Sequence, residues 1–129
     1  MIAADTNVWA RAFLNDDAAQ AQKARKALAE ARGKGGVFVP PIVLAELGWV
    51  LRARWERERV LSTLESLLRT RGVTVELPAI AQEALDATRK GGGGFADHLI
   101  AQVVFAHGAR KIVTFDEKFA KAAKVVLLM

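Results

Sequence analysis

An α/β fold, with helices flanking a mostly parallel sheet, follows from three features of the sequence. Short apolar runs recur at residues 1–4, 37–39, 73–75, 112–115 and 125–128. Runs of this length, bounded by turn formers, read as buried strands. Between them lie longer stretches with apolar residues at helical spacing. The strands are also too apolar for exposed hairpins, so strand–helix alternation implies a parallel sheet covered by helices. At 129 residues the chain has room for one domain with a real core, spanning 1–129.

The opening run ends abruptly in Asp5-Thr6-Asn7, and a helical pattern starts at once. In open α/β sheets, ligands sit beyond the carboxyl ends of strands, where Asp5 would stand. Asp5 also suits the simpler role of helix N-cap. Residues 18–32 are strong helix formers and stop at Gly33, Gly35 and Gly36. Pro40-Pro41 opens the next helix, expected over 42–54. Its stripe is Ile42, Val43, Glu46, Leu47, Val50 and Leu51, which turns Glu46 toward the apolar face. A carboxylate in that direction is either paired, for example with Arg52 or Arg11, or bound to something else.

A helix over 56–71 follows, with Val60, Leu61, Leu64, Leu67 and Leu68 as its stripe. Pro78 opens another helix, running to about Lys90. Gly91 to Gly94 lacks the Gly-Lys-Ser/Thr of a phosphate-binding loop and reads as a flexible connection. In the helix beginning at Phe95, Asp97 lines up with Ile100, Ala101 and Val104 and so shares their inward direction. It also sits in the first turn, where the helix dipole favours an acid. His98 has no second histidine at ligand spacing and reads as a rim residue. Residues 112–116 repeat the opening pattern of strand, polar turn and helix, with Asp116 in the place of Asp5 and a short helix expected over 117–123.

Composition narrows the function. The chain has no cysteine, which excludes disulfides and thiolate metal sites and fits a reducing cytosol. Neither a signal-peptide pattern nor an apolar segment of membrane-spanning length is present, so no membrane role is expected. A net charge of +5 and a pI near 10.0 suit a polyanionic partner, although solvated basic helices give the same total.

Asp5, Glu46, Asp97 and Asp116 thus occupy strand ends or inward helix faces, and right-handed crossovers would bring those places to one edge of the sheet. Two carboxylates about 5 Å apart repel by roughly 3 kcal/mol at an effective dielectric near 20. Gathered in one cleft, four of them need protons, arginines or a hard cation. An oxygen-only donor set suits Mg²⁺ or Mn²⁺.

Asp5-Thr6-Asn7, Glu46, the segment 95–101 (Phe-Ala-Asp-His-Leu-Ile-Ala) and the segment 114–119 (Thr-Phe-Asp-Glu-Lys-Phe) together resemble the PIN-domain nucleases, in particular the VapC-type toxins of toxin–antitoxin pairs. The resemblance covers nearly the whole chain, with the motifs in order. It implies a five-stranded parallel sheet and an Mg²⁺- or Mn²⁺-dependent endoribonuclease. Asp5, Glu46, Asp97 and Asp116 match the acidic metal positions, and Thr6, Asn7 and Thr114 match polar positions that order the site. It further implies a homodimer and a cognate antitoxin whose tail lies near Glu46. Arg11, Arg89 and Lys118 are the candidates for holding RNA phosphates. The long glycine run before Phe95 departs from the pattern and bears on substrate access.

Two other classes remain open on sequence alone. A phosphatase with an aspartyl nucleophile would share the scaffold, but Asp5-Thr6-Asn7 lacks the second Asp such enzymes commonly carry. A receiver-like or catalytically silent PIN-like module would bind a partner without cleaving it. For a receiver, however, no phospho-acceptor Asp follows residues 73–75.

Overall fold

Three short strands, Ile2–Ala3 (β1), Val37–Val39 (β2) and Val73–Val75 (β3), form a parallel sheet ordered β1-β2-β3 in the computed structural model, which describes residues 1–129. Ile2 pairs with Val37, and Val37 with Val73. This sheet belongs to the first of two compact units, Met1–Glu76 and Leu77–Met129.

In the first unit, Thr6–Leu14 (α1) and Ala18–Gly33 (α2) connect β1 to β2, and Pro41–Arg52 (α3) and Arg57–Arg69 (α4) connect β2 to β3. Asn15 ends α1 in the left-handed region at φ 57, a conformation asparagine tolerates better than most residues. Pro41 stands in the first turn of α3, where its missing N–H costs nothing. Leu44, Leu47 and Leu51 of α3 pack with the α4 stripe Val60, Leu61, Leu64 and Leu67, and Val37 and Val39 are fully buried. Each such leucine contributes about 2 kcal/mol by leaving water.

The stripe read from sequence holds at Leu47 and Leu51, but the buried face of α3 is turned away from its other members. That face is Leu44, Leu47, Gly48 and Leu51, whereas Ile42, Glu46, Trp49 and Val50 are exposed.

In the second unit, Pro78–Lys90 (α5) packs on Phe95–Ala106 (α6), and Ile112–Thr114 (β4) pairs in parallel with Val125–Leu127 (β5). Ala101, Phe119 and Val125 form its core cluster, flanked by Phe105, Ile112 and Ala122. The helix expected over 117–123 is only a 3-10 turn, Phe119–Lys121. So short a segment cannot offset the cost of nucleating a helix, and Ala122 is already extended, with ψ 154.

The α/β class and the parallel strands are as the sequence implies, but the five strands pair as three and two rather than as one continuous ladder. The two residues of β1 form their ladder with β2 alone, and it stops there.

Candidate active site

Asp5 leaves β1 in an extended conformation and caps α1, its Oδ1 accepting the Thr6 N–H at 2.9 Å. Thr6 is buried, and its hydroxyl donates to Oε1 of Glu46 at 3.0 Å. A carboxylate only accepts, so the direction of this bond is fixed. Packing of α1 on α3 thereby links Glu46, forty residues on from Thr6, to the residue whose amide Asp5 caps. Asn7 is exposed at the same helix start.

The second unit holds its acids through backbone groups. Asp97 is the third residue of α6, and its Oδ2 accepts the Gly94 N–H at 3.0 Å, the half of a capping box that a glycine N-cap allows. Asp116 follows β4; its Oδ1 accepts the N–H groups of Lys118 at 2.9 Å and Phe119 at 3.2 Å. Thr114 orders the same turn, its Oγ1 accepting the Asp116 N–H at 3.0 Å.

The inward direction read for Asp97 needs correction. The buried face of α6 is Phe95, His98, Leu99 and Ala101, while Ile100 is 55% exposed and Asp97 half-buried. His98, read as a rim residue, is the buried one, at 3% exposure. Its Nε2 lies 2.6 Å from the Gly92 carbonyl oxygen, and its ring meets Phe119 edge-on at 5.6 Å. The signal was present in the spacing: residues 95, 98 and 99 lie on one helical stripe.

In each of the four carboxylates one oxygen holds a neighbouring group and the other has no protein hydrogen bond. No lysine or arginine forms an ion pair with any of them; Arg11 and Arg54 both pair with Asp16 instead, each at 3.0 Å. Burial pushes the Asp16 carboxyl up, but the Arg11 hydrogen bond and the charges of Arg11 and Arg54 outweigh it and hold the group below its ordinary value. Hard, unpaired carboxylate oxygens without sulfur ligands are the donor chemistry that Mg²⁺ and Mn²⁺ prefer. Asp5 and Glu46 belong to the first unit and Asp97 and Asp116 to the second, and no three Asp, Glu or His side chains stand together as a ready-made metal group.

Of the basic candidates, Arg11 is engaged by Asp16, Arg89 lies half-buried in the last turn of α5, and Lys118 is exposed beside Asp116.

The scaffold is α/β, with acids after its strands and at the start of its helices, and the PIN domain family matches residues 2–125. The chain belongs to that family. It is similar to a VapC ribonuclease of Aquifex aeolicus (strain VF5), 30% identical over 112 residues, which covers 84% of this chain and 83% of that protein. No helix is long and apolar enough to cross a membrane.

Proposed function

We propose that the chain is a divalent-metal-dependent endoribonuclease, the toxin of a toxin–antitoxin pair, with residues 1–129 as its nuclease domain. The observation that carries this reading is the set of four acids, Asp5, Glu46, Asp97 and Asp116, each with an unengaged oxygen and none with a cationic partner. Family membership and the VapC ribonuclease relative support it.

In this reading Asp5 and Asp97 hold Mg²⁺ or Mn²⁺, and Glu46 and Asp116 complete the set directly or through water. When bound, the ion supplies an activated water nucleophile and offsets charge developing on the phosphodiester. Thr6 keeps Glu46 beside Asp5, and Thr114 keeps Asp116 in its turn. Arg11, Arg89 and Lys118 hold phosphates, with Arg11 exchanging Asp16 for the substrate. The exposed apolar residues Ile42 and Trp49 flank Glu46 on α3 and suit an antitoxin segment. An arginine from that segment would neutralise the acids as a fork. A homodimer and a reducing cytosol complete the assignment.

The test is cleavage of a pool of structured RNAs with Mg²⁺ or Mn²⁺. Wild type cleaves, and chelation stops it. Asp5→Asn and Asp97→Asn, shown folded, lose at least about a hundredfold in rate, as expected for loss of metal ligands. Equal cleavage by wild type and both variants would remove the catalytic assignment.

A further inference from the structure

The four glycines 91–94 should be the loosest part of the second unit, because glycine loses the most conformational freedom on ordering. They are tied down instead. Gly92 lies against the backbone of Lys118 so closely that a Cβ would drive into the Lys118 carbonyl oxygen. Gly93 has φ +88, and a Cβ there would lie 3.2 Å from the Phe119 ring and 3.4 Å from Oδ2 of Asp97. The loop is thus wedged between the turn that carries Asp97 and the turn that carries Asp116.

One side chain fastens this wedge. A carbonyl oxygen can only accept, so Nε2 of His98 carries the proton and donates to Gly92. The same ring rests edge-on against Phe119, whose N–H is bonded to Asp116. An apolar residue would fill the space in α6 equally well, but it could not hold the carbonyl. Burying an imidazole without a partner is costly, so the bond and the burial require each other.

We propose that His98 is a positioning residue, which fastens the glycine loop through Gly92 and seats Phe119, so that the spacing of the Asp97 and Asp116 carboxylates is set before metal arrives. The inference rests on the reading of those acids as metal ligands. Ligand orientation by groups behind the ligands commonly changes metal affinity about ten- to a hundredfold.

The experiment measures Mn²⁺ affinity by calorimetry, with kcat and KM on RNA alongside, for full-length wild type, His98→Phe, His98→Gln and Gly92→Ala. His98→Phe keeps an aromatic ring on Phe119 and removes the donor. His98→Gln keeps an N–H donor and removes the ring. Melting in chelator reports whether each variant is folded. The expected result is Mn²⁺ binding weakened about tenfold or more in His98→Phe and Gly92→Ala, a lower kcat with KM for RNA unchanged, and substantial recovery of affinity in His98→Gln. Folded His98→Phe with wild-type affinity and kcat overturns the proposal. If His98→Phe does not fold, Gly92→Ala decides, since it displaces the loop from Lys118 while leaving His98 in place, and wild-type affinity there overturns the proposal equally. Wild type that binds no Mn²⁺ would instead overturn the metal reading itself, together with the role built on it.

Discussion

Glu46 is held by a single hydroxyl, that of the Thr6 whose amide Asp5 caps, whereas Asp97 and Asp116 are held by backbone amides beside a wedged glycine loop. Both arrangements point one carboxylate oxygen away from its protein partners, but they fail differently. The first depends on two helices keeping Thr6 opposite Glu46, so it is as firm as the leucine packing beneath it. The second depends on turns in which each acid accepts N–H groups from its own neighbourhood, so it survives small movements of the core but not changes at Gly92 or Gly93.

The largest separable effect is expected at Leu47, the fully buried neighbour of Glu46 on α3. Leu47→Ala should cost about 2–5 kcal/mol in denaturant unfolding, since the surrounding side chains collapse only partly into the space. A cost well under 1 kcal/mol would show that α3 is loosely packed and that Thr6–Glu46 is not positioned by it. The next effect is smaller and local. Thr6→Val removes the hydroxyl and keeps the shape, with an expected loss of about 1 kcal/mol in stability and a weaker metal affinity. Thr6→Ser should keep most of both, and identical behaviour of Val and Ser would disconnect the hydroxyl from the site.

Thr114→Val sharpens the contrast, because the amide it frees is in an exposed turn and can turn to water. Its expected cost, about 0.5 kcal/mol, lies at the low end for a hydrogen bond. The smallest effect concerns Asp16. Its folded carboxyl lies below the ordinary 3.8, so it favours the folded state above that value and loses this contribution as pH falls through the lowered folded value. Asp16→Asn should therefore flatten the acid side of the melting profile slightly, as expected for an exposed ion pair. An unchanged profile would mean that Arg11 and Arg54 do not hold Asp16 in solution.

The strand ends were legible because an apolar run stopping at Asp5-Thr6-Asn7, and again at Thr114-Phe115-Asp116, has few physical readings. The helix faces were less so. On α3 apolar residues occupy both sides, Ile42, Trp49 and Val50 outside and Leu44, Leu47 and Leu51 inside, so periodicity alone could not say which side is buried. On α6 the polarity of His98 argued for solvent, and only the Gly92 carbonyl, supplied by a loop that reads as flexible, explains its burial. The Thr6–Glu46 bond spans forty residues and depends on how α1 meets α3, which no local pattern encodes.

The central proposal is that Asp5 and Asp97 serve the same divalent ion. Calorimetric titration of Mn²⁺ into wild type, Asp5→Asn and Asp97→Asn tests it most directly. The account predicts that either substitution removes the same binding step. Two separate binding steps, one lost with Asp5→Asn alone and the other with Asp97→Asn alone, would contradict it.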